Sequence, residues 1–224
     1  PGLSWGMTPP SLYTLLTLNR VENLMSNNTI NIALIGYGFV GKTFHAPLIR
    51  SVPGLNLAFV ASRDEEKVKR DLPDVTVIDS PEAAVQHPDV DLAVIASPNA
   101  THAPLARLAL NAGKHVVVDK PFTLDMQEAR ELIALAEEKQ RLLSVFHNRR
   151  WDSDYLGIRQ VIEQGAIGTV KHFESHFDRF RPEVRVRWRE QNVPGSGLWF
   201  DLGPHLIDQA LQLFGLPQSV QGNI

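Results

Sequence analysis

The sequence contains no cysteine. That excludes disulfide staples, thiolate nucleophiles and cysteine-ligated zinc or iron–sulfur centres. No apolar run approaches the ~20 residues needed to span a bilayer, and there are no internal repeats or low-complexity tracts. Positive charge is not in excess either. Lys and Arg number 22 against 25 Asp and Glu, for a formal net charge of −3. Nothing in that balance points to nucleic acid or to an anionic membrane, and the expected location is the cytoplasm. What is present suits a folded protein: 43 % of the 224 residues are hydrophobic and 21 % charged, a composition that supports a real core and excludes disorder for most of the chain. At roughly 150 residues per domain the length allows one large domain or one and a half.

Residues 1–24 differ in character from the rest of the chain. Their apolar stretch from Leu12 to Leu18 is short and interrupted by Thr14 and Thr17, and it lacks the basic n-region and small-residue cleavage site of a secretory signal. The segment is read as a non-native or disordered extension, with Met25 as the expected start. From Ile30 onward short apolar runs alternate with helical patterns. Strands are expected at 30–35, 55–61, 75–78, 92–96, 115–118 and 142–146. Helices are expected at 41–51, after Ser80-Pro81, at 101–111, and from Thr123 onward. This alternation predicts an α/β fold with a doubly wound parallel sheet, covered on both faces, over residues 25–147. After Phe146 the rhythm changes. A helix at 154–164, a longer strand at 170–180 and a helix at 198–214 read as the beginning of an α+β domain over 148–224. Gly203 and Pro204 fit poorly inside the last helix, which predicts a kink there or a start at Pro204. The chain stops at Ile224 without a capping element, and is read as interrupted.

Gly36-Tyr37-Gly38-Phe39-Val40-Gly41 is a G-x-G-x-x-G between a predicted buried strand and a predicted helix, the context in which that pattern signifies a dinucleotide. Gly36 permits the tight turn, Gly38 lets the backbone approach a pyrophosphate, and Gly41 lets helix and strand pack. The helix N-terminus offers unpaired N–H groups to the pyrophosphate. About 20 residues on, where an acidic residue would hold an NAD ribose, stand Ser62 and Arg63. A hydroxyl and a guanidinium suit a 2′-phosphate, so NADP is favoured. Asp64 is the counter-argument and leaves NAD open.

Further polar groups fall just beyond predicted strand ends, where open α/β sheets bind ligands. They are Ser97-Pro98-Asn99 with His102, then Asp119-Lys120-Pro121, then His147-Asn148-Arg149-Arg150. A lysine just past a buried strand can face a substrate oxygen; it can equally be a solvated surface lysine. On the last predicted helix Asp201 and His205 are four residues apart and share a face. The imidazole can take a proton at neutral pH while the carboxylate orients it. The competing reading is a capping Asp and a satisfied His. No third ligand completes a metal site, and none is expected.

Taken together, GYGFVG, SPNATH, AGKHVVVDKP, the HNRR segment and GSGLWFDLGPHLID resemble the Gfo/Idh/MocA oxidoreductases. The combination FHNRRWDSDY with FESHFDRFRP is most similar to the branch containing NADP-dependent scyllo-inositol dehydrogenases. The resemblance implies a Rossmann domain followed by a domain with a large open sheet, incomplete in this chain, and a homo-oligomer in the full-length form. It implies catalytic roles for Lys120, Asp201 and His205. Ser97, Pro98, Asn99, His102 and Asp119 would line the nicotinamide side, with Asn148, Trp188 and Arg189 also approaching the cofactor. Arg149, His176 and Asp178 would join Lys120, Asp201 and His205 around a polyol or sugar. The family usually has Glu where this chain has Asp119, and often a third glycine where it has Ser196. The expected activity is hydride transfer between NADP and a CH–OH group. The alternatives are an NAD-dependent aldose or dihydrodiol dehydrogenase, and a catalytically silent NADP-sensing regulator.

Overall fold

The computed structural model describes residues 29–178, 180–183 and 190–223. The expectations for residues 1–24 and for Trp188 and Arg189 lie outside the described residues. The apolar runs form six strands: β1 (Ile30–Ile35), β2 (Leu55–Ala61), β3 (Thr76–Ile78), β4 (Leu92–Ile95), β5 (His115–Asp119) and β6 (Leu143–Phe146). They make one sheet in the order β3-β2-β1-β4-β5-β6, with every neighbouring pair parallel. This is the strand order of a dinucleotide-binding fold, and it reverses direction between β1 and β4.

A parallel sheet needs cover on both faces, and the side-chain alternation of β1 provides for it. Ala33 and Ile35 point into one apolar cluster with Ile95, Leu105, Leu110 and Leu132. Ile32 and Leu34 point into the other with Ala46, Ile49, Val60 and Val68. The covering helices are α1 (Ala46–Ser51), α2 (Glu65–Asp71), α3 (Pro81–Gln86), α4 (His102–Asn111) and α5 (Met126–Glu138). Side-chain caps set several of their starts. Asp64 accepts from the Lys67 N–H, Ser80 from Ala83, and Asp125 from Gln127 and Glu128. The Asp125 cap moves the start of α5 past the expected Thr123. Before α1 the helix makes a π-turn, Gly41–His45, in which the Ala46 N–H bonds the Gly41 carbonyl.

Beyond the sheet lie a 3₁₀ turn (Asn148–Trp151), α6 (Ser153–Glu163) and α7 (Gly197–Phe214). Two expectations are adjusted here. Helix α7 starts at Gly197, not at Pro204, and continues through Gly203 and Pro204. The absent side chain at Gly203 makes room for the Trp199 ring, which a Cβ would approach at 3.2 Å. The strand expected at 170–180 is not formed among the described residues. A strand exists only through a ladder with a neighbour, and no described segment pairs with this one. Its two aromatic side chains turn inward all the same. Phe173 stacks on Phe214 of α7 at 5.2 Å and Phe177 sits 6.4 Å from the His205 ring, while His172, Glu174, His176 and Asp178 are exposed.

Leu110 is wholly buried in the first cluster. Leu110→Ala is expected to cost about 2–5 kcal/mol of stability, whereas Ser80→Ala, which removes a cap and an exposed bond to Glu82, costs about 1 kcal/mol. Denaturant unfolding of the two variants checks the contrast.

Candidate active site

The loop between β1 and the π-turn lies where the sheet reverses. Gly36 has φ +100°, and a Cβ there would meet the Ala96 carbonyl oxygen at 2.7 Å. A Cβ on Gly41 would drive into the Gly36 carbonyl, but one on Gly38 would meet nothing within 4 Å. Two glycines are thus consumed by close packing, and the third leaves open space against the backbone. Phe39 stands exposed beside that space, edge-on to Phe44 at 6.0 Å; Val40 is half-buried. The loop is braced from α2: the Tyr37 hydroxyl donates to Asp71 at 3.3 Å, Lys42 pairs with the same carboxylate at 2.7 Å, and Lys67 Nζ donates to the Tyr37 carbonyl at 3.0 Å. At the end of β2, Ser62 is half-buried and its Oγ accepts from the Asp64 N–H at 3.1 Å. Asp64 spends a carboxylate oxygen on the cap of α2 at 2.9 Å. Arg63 is exposed and makes no ion pair among the described residues.

The end of β4 is tied down internally. Ser97 Oγ lies 2.6 Å from Thr101 Oγ1, which donates to the Pro98 carbonyl at 2.7 Å; Pro98 itself is exposed. Asn99 is buried and donates to the Gly195 carbonyl at 2.9 Å, which draws the segment before α7 onto the sheet. His102 is buried and spans two backbone oxygens, with Nδ1 2.7 Å from the Pro121 carbonyl and Nε2 3.0 Å from that of Ser97. It pins the ends of β4 and β5 together and has no ring nitrogen to spare for the nicotinamide side where it was expected.

Lys120 follows β5, is 9 % exposed, and forms a cis peptide bond to Pro121. Its amine donates to the Asp201 carbonyl at 2.6 Å and to the Asp201 carboxylate at 3.3 Å, across 81 residues of chain. One turn further along α7 is His205, also buried. Burial pushes its imidazole down to about 3, helped by the charges of Lys120, Arg149 and His147 and opposed by Asp119. The ring is therefore neutral at pH 7. Asp201, expected to orient this histidine, holds the lysine amine, and His205 Nδ1 has no hydrogen-bond partner among the described residues.

The 148–151 turn clamps the far side of α7. Arg150 grips Asp208 with two bonds of 2.7 and 2.6 Å, and Gln209 donates to the Arg149 carbonyl at 2.9 Å. Arg149 pairs with Asp152 at 2.8 Å and lies 4.8 Å over the Phe177 ring; Asn148 is half-buried in the same turn. Burial lowers the His147 pKa although Asp208 opposes it. A cavity of about 350 Å³ opens along the flank of α7 between Pro121, Thr123, His147, Pro204 and Asp208. His176 and Asp178, expected near a substrate, are exposed on the face opposite Phe177, which takes the place beside His205. Of these neighbouring side chains the aromatic one is the less exposed.

Sequence reasoning assigned no role to Asp208 or His45, and Arg150 entered it only as part of the polar segment after the last strand. His45 is buried, packs against Phe146 at 4.2 Å and points Nε2 toward Asp119. A polar residue inside the apolar spacing of the first helix was the available signal. Among the described residues, the buried side-chain nitrogens without a partner are His45 Nε2, His147 Nδ1, Arg149 Nε and His205 Nδ1. Buried polar atoms are normally satisfied, so their gathering in one region marks it as built for ligand or chemistry. No group of described residues has the arrangement of a metal site, and no described helix is long and apolar enough to cross a membrane.

Residues 30–147 match the oxidoreductase family with an NAD-binding Rossmann fold, and residues 155–224 the GFO/IDH/MocA C-terminal domain. The uncharacterized oxidoreductase YdgJ of Escherichia coli is 61 % identical over 196 residues, covering 88 % of this chain and 56 % of its own length. The scyllo-inositol 2-dehydrogenase (NADP(+)) IolW of Bacillus subtilis is 39 % identical over 197 residues, covering 88 % and 55 % respectively. A crystal structure of an oxidoreductase from Klebsiella pneumoniae superimposes with a TM-score of 0.81 at 91 % identity, over 88 % of this chain and 54 % of that one. The chain spans about half the length of the curated relatives it matches.

The buried neutral His205 has a consequence in acid. Below about pH 6.5 an unfolded chain takes up a proton that the folded ring refuses until about pH 3. Its contribution to stability is complete above that window and is lost as pH falls through it. His205→Gln is expected to flatten the acid-side decline in stability between pH 6.5 and 4, measured by denaturant melts at stepped pH.

Proposed function

Because the chain belongs to the GFO/IDH/MocA family of oxidoreductases, we propose that it serves an NADP-linked dehydrogenase that interconverts a hydroxyl and a ketone on a polyol or sugar such as an inositol. The observation that carries this reading is the buried Lys120 amine, held by Asp201 beside a neutral His205 at the carboxyl end of the sheet.

The glycine loop fits a dinucleotide: Gly38 leaves its backbone open where a pyrophosphate needs to approach, and the following helix presents its N-terminus there. Two features favour the 2′-phosphate. Arg63 is exposed, and the Asp64 carboxylate is engaged in capping α2. The name of the Bacillus subtilis relative agrees. When bound, the nicotinamide supplies the acceptor or donor of hydride. Lys120 donates a hydrogen bond to the reacting oxygen and stabilises negative charge as it develops there. His205, held neutral, takes the hydroxyl proton at Nε2 during oxidation and returns it during reduction. Asp201 fixes the direction of the Lys120 amine, and Arg150 with Asp208 holds α7 so that the lysine and the histidine converge on one oxygen.

Lys120→Met is expected to lose 100-fold or more in turnover, on the order of the loss of one charge-stabilising donor, while the dissociation constant for NADPH stays within about threefold. Absorbance at 340 nm with inositols, aldoses and their keto forms, and fluorescence of bound NADPH, measure the two quantities. Undiminished turnover in the variant sinks the assignment. Arg63→Ala is expected to weaken NADP binding about tenfold and to leave NAD binding unchanged, as removal of a charge-assisted bond to the 2′-phosphate predicts. Thermal shifts with each nucleotide read that ratio.

A further inference from the structure

The helix that follows the glycine loop passes into a π-turn directly after its first two residues, Phe39 and Val40. Its π-turn, Gly41–His45, accommodates one residue more than an α-turn would, so the residues after it are rotated around the axis; such turns gather at functional sites. The residue at its end, His45, is 3 % exposed. Its ring packs against Phe146 at the end of β6 with centroids 4.2 Å apart. Nε2 has no hydrogen-bond partner among the described residues and lies 3.9 Å from Asp119 Oδ2. The other oxygen of that carboxylate, Oδ1, accepts the backbone N–H of Lys120 at 2.7 Å. One buried carboxylate therefore has one oxygen on the peptide that carries the lysine and the other turned to a histidine from the glycine-loop helix.

We propose that His45 is a positioning residue for Lys120, acting through Asp119. The inference rests on the reading of Lys120 as the residue that meets the reacting oxygen. Once the His45 ring engages the second oxygen of Asp119, the carboxylate plane is fixed. The Lys120 N–H then has a fixed acceptor, and the lysine leaves the strand in the direction that brings its amine to Asp201. A separation of 3.9 Å is too long for a direct hydrogen bond, and it is the spacing at which a small adjustment or one bridging water completes the link. Because the same short helix carries the glycine loop at its other end, the arrangement ties the loop that takes the dinucleotide to the strand end that takes the substrate. A donor is needed at position 45, not only bulk: an aromatic ring without nitrogen would keep the packing on Phe146 and lose the link.

The test compares His45→Phe, which keeps the ring, with His45→Gln, which keeps a donor of similar reach. The first readout is the Lys120 backbone amide, followed by its proton chemical shift and its hydrogen exchange. In His45→Phe the amide proton is expected to move upfield and exchange at least tenfold faster, and His45→Gln is expected to restore most of both. The second readout is turnover: kcat is expected to fall 10- to 100-fold in His45→Phe with KM and NADPH binding within threefold, and to recover in His45→Gln. A Lys120 amide unchanged in His45→Phe overturns the inference whatever the turnover does, as does an equal effect of both variants. If the amide responds as expected while Lys120→Met keeps full activity, the positioning stands and the redox role of Lys120 falls, so the two failures are told apart.

Discussion

A lysine amine buried at the end of a parallel strand has to be paired, because an ammonium deprived of water is costly unless an opposite charge and hydrogen-bond acceptors replace the solvent. Lys120 meets that demand with the carbonyl and the carboxylate of Asp201. The pairing ties α7 to the end of β5, and further contacts hold the helix in the same place. Asn99 draws in the segment before the helix, Arg150 anchors the helix one turn beyond the histidine, and His205 is carried into the same low-dielectric space. There burial and the surrounding cations hold the ring without a proton. One helix and one strand end thus bring a lysine amine and a neutral imidazole into the same buried region.

The sheet was the most legible part of the sequence. Strands β1 and β2 have the bounds expected from their apolar runs, and the other four differ by a residue at one end. A buried parallel strand announces itself locally, and the glycine loop gains its meaning from sitting between one such strand and a helix. The choice of helix starts was less legible, as Asp125 illustrates: capping depends on which of several polar side chains turns back to the backbone. Helix α7 was expected at 198–214 and runs from Gly197 to Phe214, so only the alternative start at Pro204 fails. Propensity counts Gly203 and Pro204 against a helix, but tertiary packing decided otherwise, with the Trp199 ring laid over the glycine and the buried polar face of the helix held at both ends.

Within the site, residues standing in local motifs were legible as candidates, and pairs joined across the chain were not. Lys120, Asp201 and His205 stand in recognisable motifs. The Arg150–Asp208 clamp joins positions 58 residues apart, and the His45–Asp119 approach joins the helix after β1 to β5, two places along the sheet; no periodicity encodes either. His102 shows the converse. Its motif suggested a ligand contact, yet both ring nitrogens face main-chain oxygens, a structural use that spacing cannot distinguish from a binding one.

The stretch ahead of α7 has two incompatible sides. Phe173 and Phe177 lie against Phe214, Arg149 and His205, while His172, Glu174, His176 and Asp178 stand in solvent. The two rings stand four residues apart, and Ser175 between them is exposed, so the stretch is held by two aromatic anchors and by little else among the described residues. Substitutions of its polar side chains cost little, as is usual in solvent, whereas loss of either ring would release one end of the stretch from α7.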